Sequence, residues 1–452
     1  MTDPIFAVVG HPNKGKSSIV ATMVQNDAIR IAPDSGTTTR ATPYPMTIDG
    51  EVLYTLIDTP GFQRPRQALA WMRSHETTAA DHSRVVRQFV EEHRSGDRFA
   101  DECALLEPIL DGAGILYVVD GSVPFGAEYE PEMEILRWTG RPRMALINSI
   151  GDDRHVDVWI EALGQYFSIV RRFNAVTAEF EKRVELLGAF RHLETEWGPS
   201  LDRAAAHLRG VRAASRSRSV KAIAEMMGRM LTFSVSVRIG RDERPADHRT
   251  ALEDRYRDEL RAIEKRCRRD VERAYDHRRL ERRERDLDLV EEDLFSERTW
   301  NRLGLSTSEL ITMGLVSGGL IGTAVNPLQG TVIGAAVGGA AAWWSAGQFA
   351  RVRIGRLTMG GRELVCGPST NPSFPFVVLN RACLHHDRVA GRTHANQDAL
   401  DLEDVAPPEI DATERRDLMK LFTKIRRTGD DEDLLHLRIE VLEKRIAEIV
   451  AN

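Results

Sequence analysis

The chain has 452 residues, of which 42% are hydrophobic and 29% are charged. This length favours two or three domains over one core, and the composition excludes a mainly disordered protein. The formal net charge of −6 gives no global reason to expect a nucleic acid as partner. The N-terminus shows no signal-peptide pattern, and four cysteines lie far apart at Cys103, Cys267, Cys366 and Cys383. We therefore expect a cytoplasmic protein.

Strand and helix patterns alternate along residues 1–195. The turn pair Asp49-Gly50 between two apolar runs predicts a hairpin. Strands that alternate with helices predict an α/β domain, with a mostly parallel sheet and helices on both faces. Residues 62–114 carry no strand pattern and are helical in composition. The predicted strands are residues 5–9, 42–48, 52–57, 115–119, 144–147 and 166–173, and the first helix is 17–24.

The rest of the chain reads as mostly helical, in three parts. Residues 196–305 form a long charged helical region in which apolar residues recur at spacings of three and four between Leu252 and Ala274. Its basic run at 278–285 is a solvated helix surface or, as the alternative, a contact for RNA or anionic lipid. A Gly/Ala-rich helical hairpin is expected at 306–350, and a mixed, helical region at 351–452.

The Gly/Ala-rich hairpin has two interpretations. Small residues recur every fourth position, which lets two helix backbones approach closely. Arginines flank both ends, so a hairpin that enters a bilayer and returns would keep its ends on the cytoplasmic side of the inner membrane. The alternative is a close-packed helical pair within the protein. We favour membrane contact through residues 308–350, peripheral or inserted.

Residues 10–17 follow the pattern Gly-x-x-x-x-Gly-Lys-Ser, between a predicted strand and a predicted helix. Glycines let backbone amides turn inward around phosphates, and the helix N-terminus adds a favourable dipole. Lys16 would neutralise the β- and γ-phosphates, and the Ser17 hydroxyl would bind Mg²⁺. The pattern predicts a phosphate-binding loop whose nucleotide contacts are Gly10, Asn13, Lys14, Gly15, Lys16, Ser17 and Ser18.

Asp58 ends the third predicted strand, in the sequence Asp-Thr-Pro-Gly. An acid there holds Mg²⁺ through water, and the amide of Gly61 senses the γ-phosphate, so Gly61 and Lys16 are candidate catalytic residues.

A threonine loop lies between these two motifs, at residues 35–40. A threonine here can close over Mg²⁺ when the γ-phosphate is present and open after hydrolysis. Counting from Gly36 favours Thr38 as the Mg²⁺ ligand, whereas counting back from Arg40 favours Thr39 as ligand and catalytic residue. Both threonines stay candidates.

These motifs together resemble the Era, EngA and TrmE branch of the translation-factor-related GTPases, over roughly the first 175 residues. The resemblance implies hydrolysis of GTP with Mg²⁺ as cofactor, in a protein that acts as a molecular switch. It also implies a potassium ion at Asn13, as in some members of the branch. Phe62 stands where Ras-like enzymes orient the attacking water with glutamine, so unassisted hydrolysis should be slow.

The guanine-recognition motif departs from the family pattern Asn-Lys-x-Asp. Asn148 is in place, but serine replaces the lysine and glycine occupies the acid position. Asp152, one residue later, is the candidate acceptor for guanine N1 and the exocyclic amine. Asn174 and Ala175 resemble the next base-contacting motif. GTP is the expected ligand, with ATP or relaxed base specificity as the alternative.

The C-terminal half resembles bacterial GTPases in which this half is known only as a domain of unknown function. The resemblance rests on residues 374–382 and on the Gly-rich hairpin, and it implies no activity. We expect the helical half to read the nucleotide state, with a ribosome or RNA assembly GTPase as the alternative. The oligomeric state stays open, a nucleotide-dependent dimer included. The group Cys383, His385, His386, Asp387 and His394 matches no closed zinc pattern.

Overall fold

The computed structural model describes residues 3–24, 38, 40–48, 50–149, 151–240, 242–275, 293–305, 350–353, 362–393, 407–429 and 431–451. The hairpin expected at 306–350, apart from its last residue, lies outside these ranges, and so do Thr39 and the basic run at 278–285. The chain divides into two compact units. Unit 1 comprises residues 1–212 and 391–398, and unit 2 comprises residues 213–390 and 399–452.

Unit 1 contains the predicted, mostly parallel sheet of six strands. The strands are β1 (Ile5–Val9), β2 (Thr42–Ile48), β3 (Glu51–Asp58), β4 (Gly114–Asp120), β5 (Arg143–Asn148) and β6 (Ile169–Arg172). Their order is β2-β3-β1-β4-β5-β6, and only the β2–β3 hairpin is antiparallel. Pro43 and Pro45 lie in β2, at an edge of the sheet, where proline is tolerated. The predicted α/β fold is confirmed.

Helices cover both faces of this sheet. They are α1 (Lys16–Val24), α2 (Pro65–His75), α3 (His82–His93), α4 (Ala100–Leu110), α5 (Glu130–Trp138), α6 (Val156–Gly164), α7 (Phe180–Phe190) and α8 (Gly198–Thr232). Alternate strand residues enter different cores: Ala7 and Val9 lie in the core that α2 to α6 cover, whereas Phe6 and Val8 lie in the core with α1 and α7. Residues 62–114 form helices, as predicted.

The carboxyl ends of the parallel strands meet at one edge of the sheet. The loops that leave this edge include residues 10–15 after β1, the segment after Asp58 of β3, and the segment after Asn148 of β5. Open α/β sheets bind ligands at this edge, because the loops diverge there. The predicted motifs therefore come together although the sequence separates them.

Unit 2 is mostly helical but also contains a small sheet. Its helices are α9 (Pro245–Ala274), α10 (Glu297–Leu303), α11 (Phe374–Gly391), α12 (Ala412–Arg426) and α13 (Glu432–Ile449), in addition to the second part of α8. Strands β7 (Val235–Ile239), β8 (Ala350–Arg353) and β9 (Arg362–Cys366) form an antiparallel sheet in the order β7-β9-β8. The sequence analysis did not predict these strands, and residues 196–305 are therefore not wholly helical.

The apolar face predicted between Leu252 and Ala274 is buried on α9, so that prediction is confirmed. The same helix buries a charge: the carboxylate of Glu264 accepts hydrogen bonds from Arg381 at 2.7 Å and from Arg268 at 3.0 Å. Burial alone would raise the pKa of Glu264, but the two guanidinium groups lower it to about 2. Among the described residues, no helix is long and apolar enough to span a membrane.

Candidate nucleotide-binding site

The loop of residues 10–15 has a backbone that few side chains would permit. Gly10 and Gly15 have φ angles of 142° and 83°, and Asn13 has a φ of 61°. A Cβ atom on Gly10 would collide with the carbonyl oxygen of Val118 in β4. The loop leads directly into α1, whose first residue is Lys16. This combination of strand, tight loop and helix N-terminus suits a phosphate group.

The Lys16 side chain folds across this loop. Its Nζ donates to the carbonyl oxygens of His11 at 3.0 Å and Gly10 at 3.3 Å. Burial lowers the pKa of Lys16 to about 8, and the carboxylates of Asp58 and Glu132 oppose that shift. The two hydrogen bonds place the ammonium group within the loop. A further negative charge beside it, such as a phosphate, would stabilise the protonated form of Lys16. Ser18 lies half-buried in the first turn of α1.

Three oxygen-bearing side chains converge beside Lys16. Oδ2 of Asp58 accepts a hydrogen bond from Ser17 Oγ at 2.7 Å and from Thr38 Oγ1 at 3.1 Å, and the two hydroxyl oxygens lie 3.5 Å apart. Oδ1 of Asp58 is buried and has no hydrogen-bond partner within the described ranges. Burial raises the pKa of Asp58. An all-oxygen set with an unsatisfied buried carboxylate oxygen fits a hard divalent cation such as Mg²⁺.

Gly61 and Phe62 pack against the phosphate loop. A Cβ on Gly61 would lie 2.6 Å from the backbone nitrogen of Pro12, so glycine is required there. The amide of Phe62 donates to the carbonyl oxygen of Gly10 at 3.2 Å. The Phe62 ring is fully buried in the core beneath, so it is not available to orient a water molecule.

A buried carboxylate that the sequence analysis missed supports the loop from α5. Oε1 of Glu132 lies 2.8 Å from Nδ1 of His11, and Oε2 accepts a hydrogen bond from the Tyr117 hydroxyl at 3.0 Å. Glu132 is fully buried, and burial raises its pKa, which the His11 contact opposes. Because 121 residues separate His11 from Glu132, no local sequence signal connects them.

The asparagine of the altered guanine motif connects two loops. Asn148 donates from Nδ2 to the Lys14 carbonyl oxygen at 3.1 Å, and its Oδ1 accepts from the Ala175 amide at 3.1 Å. Asn174 donates to the Ser149 carbonyl oxygen at 2.5 Å, which closes the next loop onto this one. The structure therefore brings these predicted base-side residues together.

Asp152 is placed differently from these asparagines. Its side chain is exposed, and Oδ2 accepts from Nε of Arg154 at 2.5 Å while Oδ1 accepts from the Arg154 amide at 3.2 Å. These bonds lower the pKa of Asp152, the backbone bond most. Arg154 is thus the residue that engages the only carboxylate the sequence analysis proposed for guanine.

Two of the histidines and the cysteine considered as metal ligands lie on α11 and are packed against other side chains of unit 2. Cys383 is buried, Nδ1 of His386 lies 2.7 Å from Ser219 Oγ, and Nε2 of His385 lies 3.2 Å from the Glu272 carboxylate. Within the part of the chain that the structure describes, no group of three or more histidine, cysteine or acidic side chains could hold a metal ion. His394 lies outside that part.

Two family models match the chain. The first, described as 50S ribosome-binding GTPase, matches residues 5–148. The second, described as a domain of unknown function, DUF3482, matches residues 161–450. This chain is a P-loop GTPase of the Era and Der type with a DUF3482 C-terminal region. The N-terminal match covers the nucleotide-binding part of the chain. The C-terminal match covers a longer part, and its family description names no activity.

Curated relatives are similar to this GTPase only in part. GTPase Der of Mycoplasma pneumoniae is 42% identical over 59 residues, which is 13% of each chain. GTPase Era of Caulobacter vibrioides is 36% identical over 83 residues, 17% of this chain and 26% of that protein. The GTPase therefore spans about an eighth of the length of the Der protein and a quarter of that of Era.

Solved structures of Era are also similar. One, a variant from Aquifex aeolicus bound to GDP·AlF4⁻, has 16% identity and a TM-score of 0.31, with 60% of this chain and 89% of that chain covered. Another, Era with MgGDPNP and nucleotides 1506–1542 of 16S ribosomal RNA, has 18% identity and a TM-score of 0.27, with 39% and 52% covered. The assignment to the family rests on the sequence models and the motif geometry.

The lowered pKa of Lys16 predicts that nucleotide affinity depends on pH. Bound phosphates would raise the pKa of Lys16 above its value of about 8 in the free protein, so binding takes up a proton at higher pH. We expect the affinity for GDP to fall by about tenfold per pH unit above pH ~8.

The measurement is the dissociation constant of a fluorescent GDP from about pH 7 to about pH 9, for wild type and Lys16→Arg. Arginine stays charged, so this variant should bind with a flatter pH profile, and it also cancels any titration of the nucleotide itself. Identical profiles for the two proteins would contradict the assignment of the proton to Lys16.

Proposed function

We propose that this GTPase binds GTP together with Mg²⁺ and hydrolyses it to GDP and phosphate as a molecular switch. The observation that carries the proposal is the convergence of Ser17, Thr38 and Asp58 beside Lys16, with one buried oxygen of Asp58 left unsatisfied by the described residues. Ser17, Thr38 and Asp58 would hold the ion, which supplies charge neutralisation at the β- and γ-phosphates. Thr38 rather than Thr39 is the switch threonine in this proposal, because its hydroxyl reaches Asp58.

The protein's own groups would then stabilise the charge that develops as water attacks the γ-phosphate. The Lys16 ammonium would exchange its carbonyl partners in the loop for phosphate oxygens, and the backbone amides of the loop would donate to the β-phosphate. The Gly61 amide would contact the γ-phosphate. Asn13 has a positive φ and an exposed side chain. A potassium ion held by Asn13 would add positive charge beside the phosphates, in a protein whose Phe62 cannot orient the attacking water.

Guanine recognition would depend on an incomplete motif, in which Ser149 and Gly151 stand at the positions of the family's lysine and acid. Asn148 and Ala175 occupy the positions that the family uses to frame the base, and they are hydrogen-bonded to each other. Asp152 would have to leave Arg154 to accept hydrogen bonds from guanine. We propose GTP as the substrate, with relaxed base specificity as the outcome if Asp152 stays paired.

The first test compares turnover of GTP and ATP by the full chain, in potassium and in sodium buffer. We expect GTP-selective hydrolysis that is slow in sodium and faster in potassium, and that is lost in Lys16→Ala because the phosphates lose their main cation. Lys182→Ala, an exposed lysine on α7, is the matched control and should behave as wild type.

Either of two results would change the proposal. Equal turnover of ATP would mean that the altered guanine motif no longer selects the base. Turnover that persists in Lys16→Ala would remove the phosphate loop from the reaction and overturn the proposed function.

A membrane would be the place where the helical half reads the nucleotide state. The support is the Gly/Ala-rich sequence of residues 308–350 between its arginine flanks. We expect the GTP-bound protein to float with vesicles of anionic phospholipid and a variant that lacks residues 308–350 to stay in the dense fractions. Equal flotation of the two proteins would remove this segment from membrane contact.

Binding to the large ribosomal subunit is the second candidate function. The match of residues 5–148 to a family described as 50S ribosome-binding GTPase favours it. If it is correct, the protein should co-sediment with 50S subunits at low salt in the presence of GDPNP and much less with GDP. Absence from the 50S fraction with both nucleotides would exclude it.

A further inference from the structure

The segment that follows Gly61 is held by a buried carboxylate from another helix. Oε1 of Glu102, on α4, accepts hydrogen bonds from the backbone amides of Gln63 at 2.9 Å and Arg64 at 2.5 Å. The Glu102 side chain is 1% exposed, so water does not compete for these bonds. A buried carboxylate with two charge-assisted bonds to successive amides is a strong and directional clamp.

The same segment is held on its other side by the phosphate loop. The Phe62 amide donates to the Gly10 carbonyl oxygen at 3.2 Å, and Gly61 lies against Pro12 with no room for a side chain. Gly61 is therefore placed by two sets of bonds within four residues, one to the loop and one to Glu102. Removing the second set would free the chain at Gln63 and Arg64, two and three residues after Gly61.

Glu102 itself stands on a rigid support. Cys103, Leu106 and Ile109 of α4 are buried in the same core as the β1 and β4 side chains. Aromatic contacts join the neighbouring helices. The ring centroids of Trp71 (α2) and Phe89 (α3) lie 5.4 Å apart, and those of Phe89 and Phe99, at the start of α4, lie 5.1 Å apart. Because α4 is packed into this core, Glu102 holds the backbone of Gln63 and Arg64 at a fixed place relative to the sheet.

We propose that Glu102 is a positioning residue for the γ-phosphate response: it holds the backbone of Gln63 and Arg64 so that the Gly61 amide is set in place for a nucleoside triphosphate. The inference rests on the proposed function and deepens it. Glu102 also stabilises the N-terminus of α2, because the N-cap residue Arg64 makes no side-chain capping hydrogen bond. A helix cap alone would affect the stability of the protein equally with either nucleotide, whereas a positioning residue affects the triphosphate selectively.

The test measures the affinities of fluorescent GDPNP and GDP for four full-length proteins: wild type, Glu102→Ala, Glu102→Gln and Glu107→Ala. Glutamine keeps an acceptor oxygen at the same reach, whereas alanine keeps none. Glu107, exposed on the same helix, is the matched control. We expect Glu102→Ala to weaken GDPNP binding by about tenfold more than GDP binding, and Glu102→Gln to keep the ratio within about threefold of wild type.

Equal weakening with both nucleotides, or no weakening, would overturn the positioning role. Should Glu102→Ala fail to fold, Glu102→Asp is measured in its place, because its shorter side chain withdraws the carboxylate from the two amides. We expect Glu102→Asp to weaken GDPNP binding more than GDP binding, and an unchanged ratio of the two affinities would overturn the inference. Wild type that binds neither nucleotide would overturn the proposed function, and this inference with it; a wild type that binds both isolates the question of Glu102.

Discussion

The phosphate loop depends on a close approach between backbones. At Gly10 the chain passes the Val118 carbonyl oxygen, and at Gly61 it passes the Pro12 nitrogen, with no space for a Cβ at either point. These two contacts fix the loop between β4 on one side and the segment after β3 on the other. Because the backbone is fixed by exclusion, the amides of the loop keep their direction without a bound ligand, and a ligand would gain from that preorganisation.

Three buried charged side chains around the loop stabilise one another's ionised forms. Lys16, Asp58 and Glu132 are all buried, and each alone would favour its neutral form. Each carboxylate acts on Lys16 to retain its proton, and Lys16 acts on each carboxylate to retain its charge. A change in the charge of Lys16 therefore acts on the protonation of both carboxylates, and a change at either carboxylate acts on Lys16, as expected for interacting titrations.

Local patterns predicted most of unit 1 and little of what connects its parts. The strands of unit 1, the phosphate loop and the β2–β3 hairpin were predictable, because the sequence signal for each lies within a few residues. Glu102 and Glu132 were not predictable, since their partners lie 38 and 121 residues away along the chain. The sheet of unit 2 was missed for a similar reason: β7 has five residues, and its partner β9 begins more than a hundred residues later. The hydrogen bond of 3.1 Å from the Thr38 hydroxyl to Asp58 was also beyond sequence spacing, because the two residues lie 20 positions apart.

The two prolines of β2 restrict how copies of this protein can associate. Proline in a sheet is tolerated where its missing N–H faces the open edge, so the outer side of β2 lacks donors at Pro43 and Pro45. A strand from a second molecule could not form a continuous ladder along that edge. Growth of this sheet from molecule to molecule is thereby blocked at β2, so strand pairing between two copies of the domain would have to use the opposite edge, β6, which contains no proline.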